Sequence, residues 1–141
     1  MLKFGLIHPT IIGVLAAAGH GATVLVTDAN YPVSTSIPAA IPVVQLNLAP
    51  GLLDAMTVIR VLSGAAPFET ATVMAMENGS PPPIARELTE LMPAVAVEAL
   101  ARFDFYAAST SNHLALTVVT GEQRHYGNVL LTVGALAAPA T

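Results

Sequence analysis

Short apolar runs alternate along the chain with longer segments in which apolar and polar positions mix. Residues 24–27, all leucine or β-branched, are typical of a buried strand, as are residues 114–120 and 129–133. Further strands are predicted over residues 43–46, 70–76 and 94–100. Apolar residues at helical spacing predict one helix from Pro9 to a stop at Gly19 and another from Pro50 through Leu62. A third helix is expected after residue 83, and a short fourth over residues 102–109.

This order of elements predicts an α/β fold. Strands that alternate with helices favour a mostly parallel sheet of about six strands with helices on both faces, a three-layer α/β/α arrangement. No repeat or linker divides the sequence, so residues 1–141 are expected to form a single domain. In such sheets, ligands bind beyond the carboxyl ends of the strands.

The composition indicates that part of the protein's surface is buried against a membrane or another subunit. Apolar residues make up 54% of the chain and charged residues only 10%, whereas about a quarter of residues are charged in ordinary globular proteins. Either a membrane or an oligomer interface could bury this surface. Histidine, proline and glycine interrupt both long uncharged stretches, residues 4–27 and 29–53. We therefore expect a homo-oligomer and no membrane, and we interpret the first 20 residues as a helix with a glycine cap rather than a signal peptide.

Charge and motif content exclude several other classes. The formal net charge of −4 provides no basic stripe for nucleic acid. The sequence has no cysteine, which agrees with a reducing cytoplasm. It also lacks metal-ligand spacings such as HExxH and the glycine-rich loops that cradle phosphate, so we expect neither a metal nor a cofactor.

The first candidate site lies in GHGATVLVTDANYP, where a histidine and an aspartate flank one predicted strand. Strands rise about 3.3 Å per residue, which separates His20 from Asp28 by about 13 Å or more. The two can meet only if the segment before the strand folds back or a second subunit supplies its own copy. Each also has a structural interpretation: His20 can follow a helix C-terminus, and Asp28 can bind loop amides.

The second candidate site is TGEQRHYGNVLL, where polar side chains crowd between two apolar strands, among them Glu122, Arg124, His125, Tyr126 and Asn128. This segment is either a solvated hairpin or crossover loop, or a patch that exchanges hydrogen bonds with a polyhydroxylated ligand. Arg102 is a third candidate. It precedes aromatic residues, among them Tyr106, that can stack on the apolar face of a sugar, although Phe103 and Phe105 have the spacing of core residues.

Three segments together carry a family resemblance. The run HPTIIGVLAAAGHGATVLVTDANYP, the segment RFDFYAAS and the segment TGEQRHYGNVLL resemble the sugar-mutarotase family that includes L-fucose mutarotase and D-ribose pyranase. The match covers most of the chain and is closest to the fucose branch. The aspartate-alanine-x-aromatic-proline run and the YGN motif are specific in this order and separation.

The resemblance implies an isomerase that interconverts the α and β anomers of a free monosaccharide, with L-fucose as the expected sugar and no cofactor. It also implies ring-shaped homo-oligomers, commonly decamers, whose sites a neighbouring chain completes. The predicted catalytic residues are His20, Asp28 and Tyr126, and the predicted substrate-binding residues are Arg102, Asn128 and Tyr106. A D-ribose pyranase that interconverts pyranose and furanose forms is the alternative within the family. A non-catalytic sugar-binding protein is the alternative outside it.

Overall fold

The computed structural model describes residues 1–140, and in them six strands and five helices form one α/β unit. The strands are β1 (Thr23–Thr27), β2 (Val43–Gln45), β3 (Phe68–Met74), β4 (Ala96–Leu100), β5 (Leu114–Val119) and β6 (Val129–Val133). The helices are α1 (Pro9–Ala17), α2 (Val33–Ser36), α3 (Ala55–Ser63), α4 (Pro83–Leu91) and α5 (Arg102–Ser109). The predicted α/β class, the six strands and the short helix over residues 102–109 are confirmed.

All six strands belong to one sheet in the order β2-β5-β1-β6-β3-β4. The pairs β2–β5, β1–β5 and β3–β4 are parallel, whereas β6 runs antiparallel to both of its neighbours, β1 and β3. The sheet is therefore mostly parallel, as predicted. The chain passes from β5 over the carboxyl end of β1 before it enters β6, so the connection between β5 and β6 is a crossover and not a hairpin.

Both faces of the sheet are covered, which gives the three predicted layers. Alternate residues of a strand point to opposite faces. Accordingly, Val24 and Val26 of β1 join the larger core cluster, to which α1, α3 and α4 contribute, while Leu25 joins a second cluster. Phe105 of α5 is fully buried in this second cluster, on the opposite face.

Capping residues set the starts of α1 and α3. Pro9 occupies the first turn of α1, and the His8 ring accepts a hydrogen bond from the amide of Ile11 at 3.4 Å. The prediction that the second helix starts at Pro50 was wrong. This helix, α3, begins at Ala55 because the carboxylate of Asp54 caps it, accepting from the amide of Thr57 at 2.6 Å.

Two further boundaries differ from the prediction. The segment expected to be a loop over residues 29–42 contains the single-turn helix α2. Strand β3 starts two residues earlier than predicted and ends at Met74 rather than residue 76, because the chain turns over residues 76–80, where the amide of Met76 donates to the carbonyl of Ser80 at 2.9 Å. Among residues 1–140, no helix combines the length and apolar character that crossing a membrane requires.

Candidate active site

A cavity of about 420 Å³ opens at the carboxyl edge of the sheet. Asp28 directly follows β1, Arg102 lies two residues after β4, and Asn128 directly precedes the antiparallel β6, so topology brings all three to this edge. The volume lies in the range of small-molecule sites, about 300–1,000 Å³. The remaining lining residues are Asn30, Tyr31, Pro32, Met74, Glu77, Tyr106, His125 and Tyr126.

Asp28 and Asn128 form a buried pair at the base of this cavity. The side-chain oxygen of Asn128 accepts from the amide of Asp28, and its Nδ2 donates to Oδ2 of Asp28, each at 2.9 Å. The amide of Asn30 donates to Oδ1 of Asp28 at 2.9 Å. Burial raises the pKa of the Asp28 carboxyl above its ordinary value, while the hydrogen bonds from Asn30 and Asn128 oppose that rise.

The segment between β5 and β6 is fixed over the end of β1. The hydroxyl of Thr120 donates to the carbonyl of Thr27 at 2.7 Å, and the amide of Ala29 donates to the carbonyl of Glu122 at 2.9 Å. This brings Tyr126 to the cavity with a backbone φ of 63°, a left-handed conformation that is uncommon outside glycine. The segment is thus a crossover loop tethered to the end of β1, with residues 123–125 exposed.

Tyrosine rings form one wall of the cavity. The hydroxyl of Tyr31 lies 2.7 Å from Oγ of Ser109, and the rings of Tyr31 and Tyr106 are 5.6 Å apart and tilted by 58°. The Arg102 guanidinium lies 6.0 Å from the centre of the Tyr106 ring. Together with Tyr126, these rings are all three tyrosines of the chain. The wall thus offers aromatic faces and hydroxyl groups to a ligand.

His20 lies at the other edge of the sheet. Its Nε2 is 3.1 Å from both carboxylate oxygens of Glu69, and both side chains are about half exposed or more, at 63% and 47%. Glu69 is near because β3 is parallel to β1, so the amino ends of the two strands share an edge. Within one chain, His20 does not line the cavity, in agreement with the separation expected from strand length.

Five of the six predicted site residues therefore meet in one cavity, and His20 stands apart. Sequence reasoning missed Tyr31 as a lining residue, although its place directly beyond a strand end in the run DANYP was a signal. His125, which was named within the second candidate segment but not among the six predicted site residues, also lines the cavity. Among residues 1–140, no group of three or more histidine, aspartate or glutamate side chains is arranged to hold a metal ion.

The fold and cavity define a class: an α/β protein with a carboxylate, amide and tyrosine-lined cavity at the carboxyl edge of its sheet. A family model described as the RbsD / FucU transport protein family matches residues 1–136. The chain belongs to this family, which confirms the family predicted from the sequence.

Solved structures share the fold over nearly the whole chain. RbsD from Bacillus subtilis, complexed with D-ribose, is 26% identical, with a TM-score of 0.84 over 97% of this chain and 100% of that one. FucU from Bifidobacterium longum is also 26% identical, with a TM-score of 0.78 over 93% and 97%. The fucose mutarotase from Streptococcus pneumoniae, in complex with L-fucose, is 20% identical with a TM-score of 0.80 over 97% and 100%, and supports the fold alone.

Proposed function

We propose that this protein is a sugar mutarotase that interconverts the α and β anomers of a free monosaccharide, with L-fucose as the first candidate. The observation that carries the proposal is the buried Asp28–Asn128 pair facing Tyr126 in one cavity. Membership of the RbsD / FucU family, and the similarity to a relative complexed with D-ribose, support a carbohydrate isomerase of the mutarotase or pyranase type.

The chemistry needs one group that accepts a proton and another that donates one. The anomeric hydroxyl loses its proton while the bond between C1 and the ring oxygen breaks, and the ring oxygen gains a proton. The open-chain aldehyde then closes on the opposite face of the carbonyl. Positioned acid and base groups each accelerate such steps by about 10²–10⁴-fold.

The residues of the cavity suit these roles. Asp28, whose pKa is raised by burial, can accept from a sugar hydroxyl, because each carboxylate oxygen, one bonded to Asn128 and the other to the amide of Asn30, has a further acceptor site. The phenol of Tyr126 both donates and accepts. Arg102 and Tyr106 at the rim are proposed to hold the remaining hydroxyl groups and the apolar face of the ring.

His20 reaches a sugar only from a second copy of the chain. We propose that the protein is a ring-shaped homo-oligomer, with a decamer as the expected form, in which His20 of one subunit completes the cavity of its neighbour. Glu69 would orient the imidazole for proton transfer. Phe103 and Leu48, 82% and 83% exposed in the single chain, support burial of further surface in an assembly.

Two other functions are weighed against the mutarotase: a D-ribose pyranase and a non-catalytic sugar-binding protein. A D-ribose pyranase is favoured by the similarity to RbsD, whereas Arg102 lies where the fucose branch has an arginine. A non-catalytic sugar-binding protein would need the cavity but neither His20 nor its carboxylate partner. The pairing of exposed His20 with Glu69 therefore favours catalysis.

Saturation-transfer NMR on equilibrated sugar with catalytic amounts of protein tests the proposal. We expect exchange between the anomeric protons of L-fucose, lost in His20→Ala and in Tyr126→Phe. Exchange with D-ribose alone would assign the pyranase reaction. Sugar binding without exchange of any sugar would move the protein to the binding class.

A complementation experiment tests the shared site. His20→Ala and Tyr126→Phe chains, each inactive alone, are co-expressed at equal levels, and random assembly into rings should restore about a quarter of the wild-type activity. The double variant His20→Ala/Tyr126→Phe mixed with wild-type chains is the matched control. No recovery in the mixed assembly would show that His20 does not act across an interface.

A further inference from the structure

The turn that carries Tyr126 is unusual for its sequence. The amide of Gly127 donates to the carbonyl of Arg124 at 3.2 Å, so residues 124–127 form a four-residue turn. Of these four residues, Tyr126 has a positive φ, at the third position. Type II turns require positive φ there and normally place glycine at that position. A tyrosine in this conformation needs support from the surrounding structure.

Glu122 lies directly beneath the turn. It is only 4% exposed, and its Oε1 accepts from both the amide and Nε of Arg124 at 3.0 Å, while its Oε2 accepts from Nη2 at 2.9 Å. A Cβ on Gly127 would come within 2.7 Å of Cγ of Glu122. One buried side chain thus binds the first residue of the turn through its carboxylate and lies close to the last residue through its Cγ, and both of its oxygens are occupied.

Arg124 extends this support to a helix. Its Nη1 donates to Oε1 of Glu87, a residue of α4, whose apolar side belongs to the main core. The hydrogen bond to Glu122 raises the pKa of Arg124 well above its ordinary value and lowers that of Glu122, so the pair stays charged at neutral pH. The planar guanidinium, unlike an ammonium, can donate to two carboxylates from fixed directions.

We propose that Arg124 is a positioning residue: clamped between Glu122 and Glu87, it holds the 124–127 turn so that Tyr126 faces the sugar cavity. This inference rests on the proposed function for its kinetic consequence, but not for its structural one. Arg124 does not line the cavity, so it acts through Tyr126 and not on the sugar.

The test compares variants of Arg124 and Glu87 with a variant of a second ion pair on α4, the helix that carries Glu87. Arg124→Met removes the clamp, and Arg124→Lys restores the charge alone. Glu87→Gln removes only the negative charge at the outer contact while Glu122 stays paired. Arg86→Met is the control, because Arg86 pairs with Glu90 on the exposed side of α4, at 2.8 Å, away from the cavity.

The structural readout is ¹⁹F NMR of protein labelled with 3-fluorotyrosine. The three resonances all report on the cavity, because all three tyrosines line it, and Tyr→Phe variants assign them. We expect the Tyr126 resonance to shift or broaden in Arg124→Met and, more weakly, in Glu87→Gln. Those of Tyr31 and Tyr106 should stay in place, and Arg86→Met should leave all three unchanged.

The kinetic readout is anomer exchange by unlabelled protein. We expect kcat to fall about 10–100-fold in Arg124→Met with KM changed far less, because a displaced catalytic group loses rate more than binding. Arg124→Lys should recover part of the loss. An unmoved Tyr126 resonance in both Arg124→Met and Glu87→Gln, or an equal shift of all three resonances, would overturn the inference. A wild-type protein that exchanges no sugar would overturn the proposed function instead, and the ¹⁹F comparison would still decide the role of Arg124.

Discussion

Replacing Asn128 with alanine should separate the structural and electrostatic parts of its contact with Asp28. In the wild type, the side-chain oxygen of Asn128 accepts from the buried amide of Asp28, and its nitrogen donates to the Asp28 carboxylate. Each of these hydrogen bonds measures 2.9 Å. Both residues are 4% exposed. Alanine leaves the amide and one carboxylate oxygen without this partner.

The expected cost follows from these two bonds. An unpaired buried amide costs about 1–3 kcal/mol, and a lost hydrogen bond to a charged group costs about 1.5–3 kcal/mol. Water from the adjacent cavity can partly replace both lost hydrogen bonds. We therefore expect Asn128→Ala to lower the free energy of unfolding by about 2–5 kcal/mol. The pKa of Asp28 should rise further, since the hydrogen bond from Asn128 lowers it in the wild type.

Urea unfolding at fixed protein concentration measures the first effect, and carboxyl ¹³C NMR titration measures the second. Asn30→Ala is the control, because Asn30 contacts the Asp28 carboxylate through its backbone amide, which alanine keeps. A loss below about 1 kcal/mol, or a lower pKa of Asp28 in Asn128→Ala, would refute this account of the pair.

Two further predictions concern the support of the 124–127 turn. Gly127→Ala should destabilise the protein by about 1–3 kcal/mol in urea unfolding, because the new Cβ would meet Glu122 Cγ at 2.7 Å and the Arg124 carbonyl at 3.0 Å, whereas Gly13→Ala, on an open face of α1, should not. Arg124 lowers the pKa of Glu122 below its unfolded value of about 4.3, so Glu122 adds stability above that pH and loses it as the pH falls through the lower folded pKa. Acid unfolding should therefore be less steep in Glu122→Gln, and an unchanged profile would contradict the pairing.

Local sequence patterns identified most of the helices and strands. They gave a wrong boundary where two patterns favoured different starting residues. Pro50 and Asp54 are both acceptable helix starts, and the capping bond to Thr57 decided for the later one. Strand β4 was predicted from the need for a break after a helix, and it forms over residues 96–100. The single turn of α2 had no apolar period to reveal it, since none of its four residues is buried.

The sequence predicted those site residues whose polar side chains lie directly beside the end of an apolar strand. Asp28 and Asn128 each adjoin a strong apolar strand, which placed them at a sheet edge from sequence alone. Tyr31 was harder to identify, because it is buried in a cluster with Phe105 and its hydroxyl pairs with Ser109, 78 residues away in the sequence. The support of the turn by Glu122 was likewise hidden, since the sequence shows three charged or polar neighbours without showing which of them is buried.

The direction of β6 explains why these residues form one site. Asn128 precedes its strand and Asp28 follows its own, so the two share an edge only because β6 runs antiparallel to β1. In a fully parallel sheet, Asn128 would lie at the opposite edge, beside His20. His20 precedes β1 and therefore lies at the amino edge of the sheet, away from the cavity of its own chain. A site that uses both Asp28 and His20 therefore requires two copies of the chain, and the complementation of His20→Ala by Tyr126→Phe tests this requirement directly.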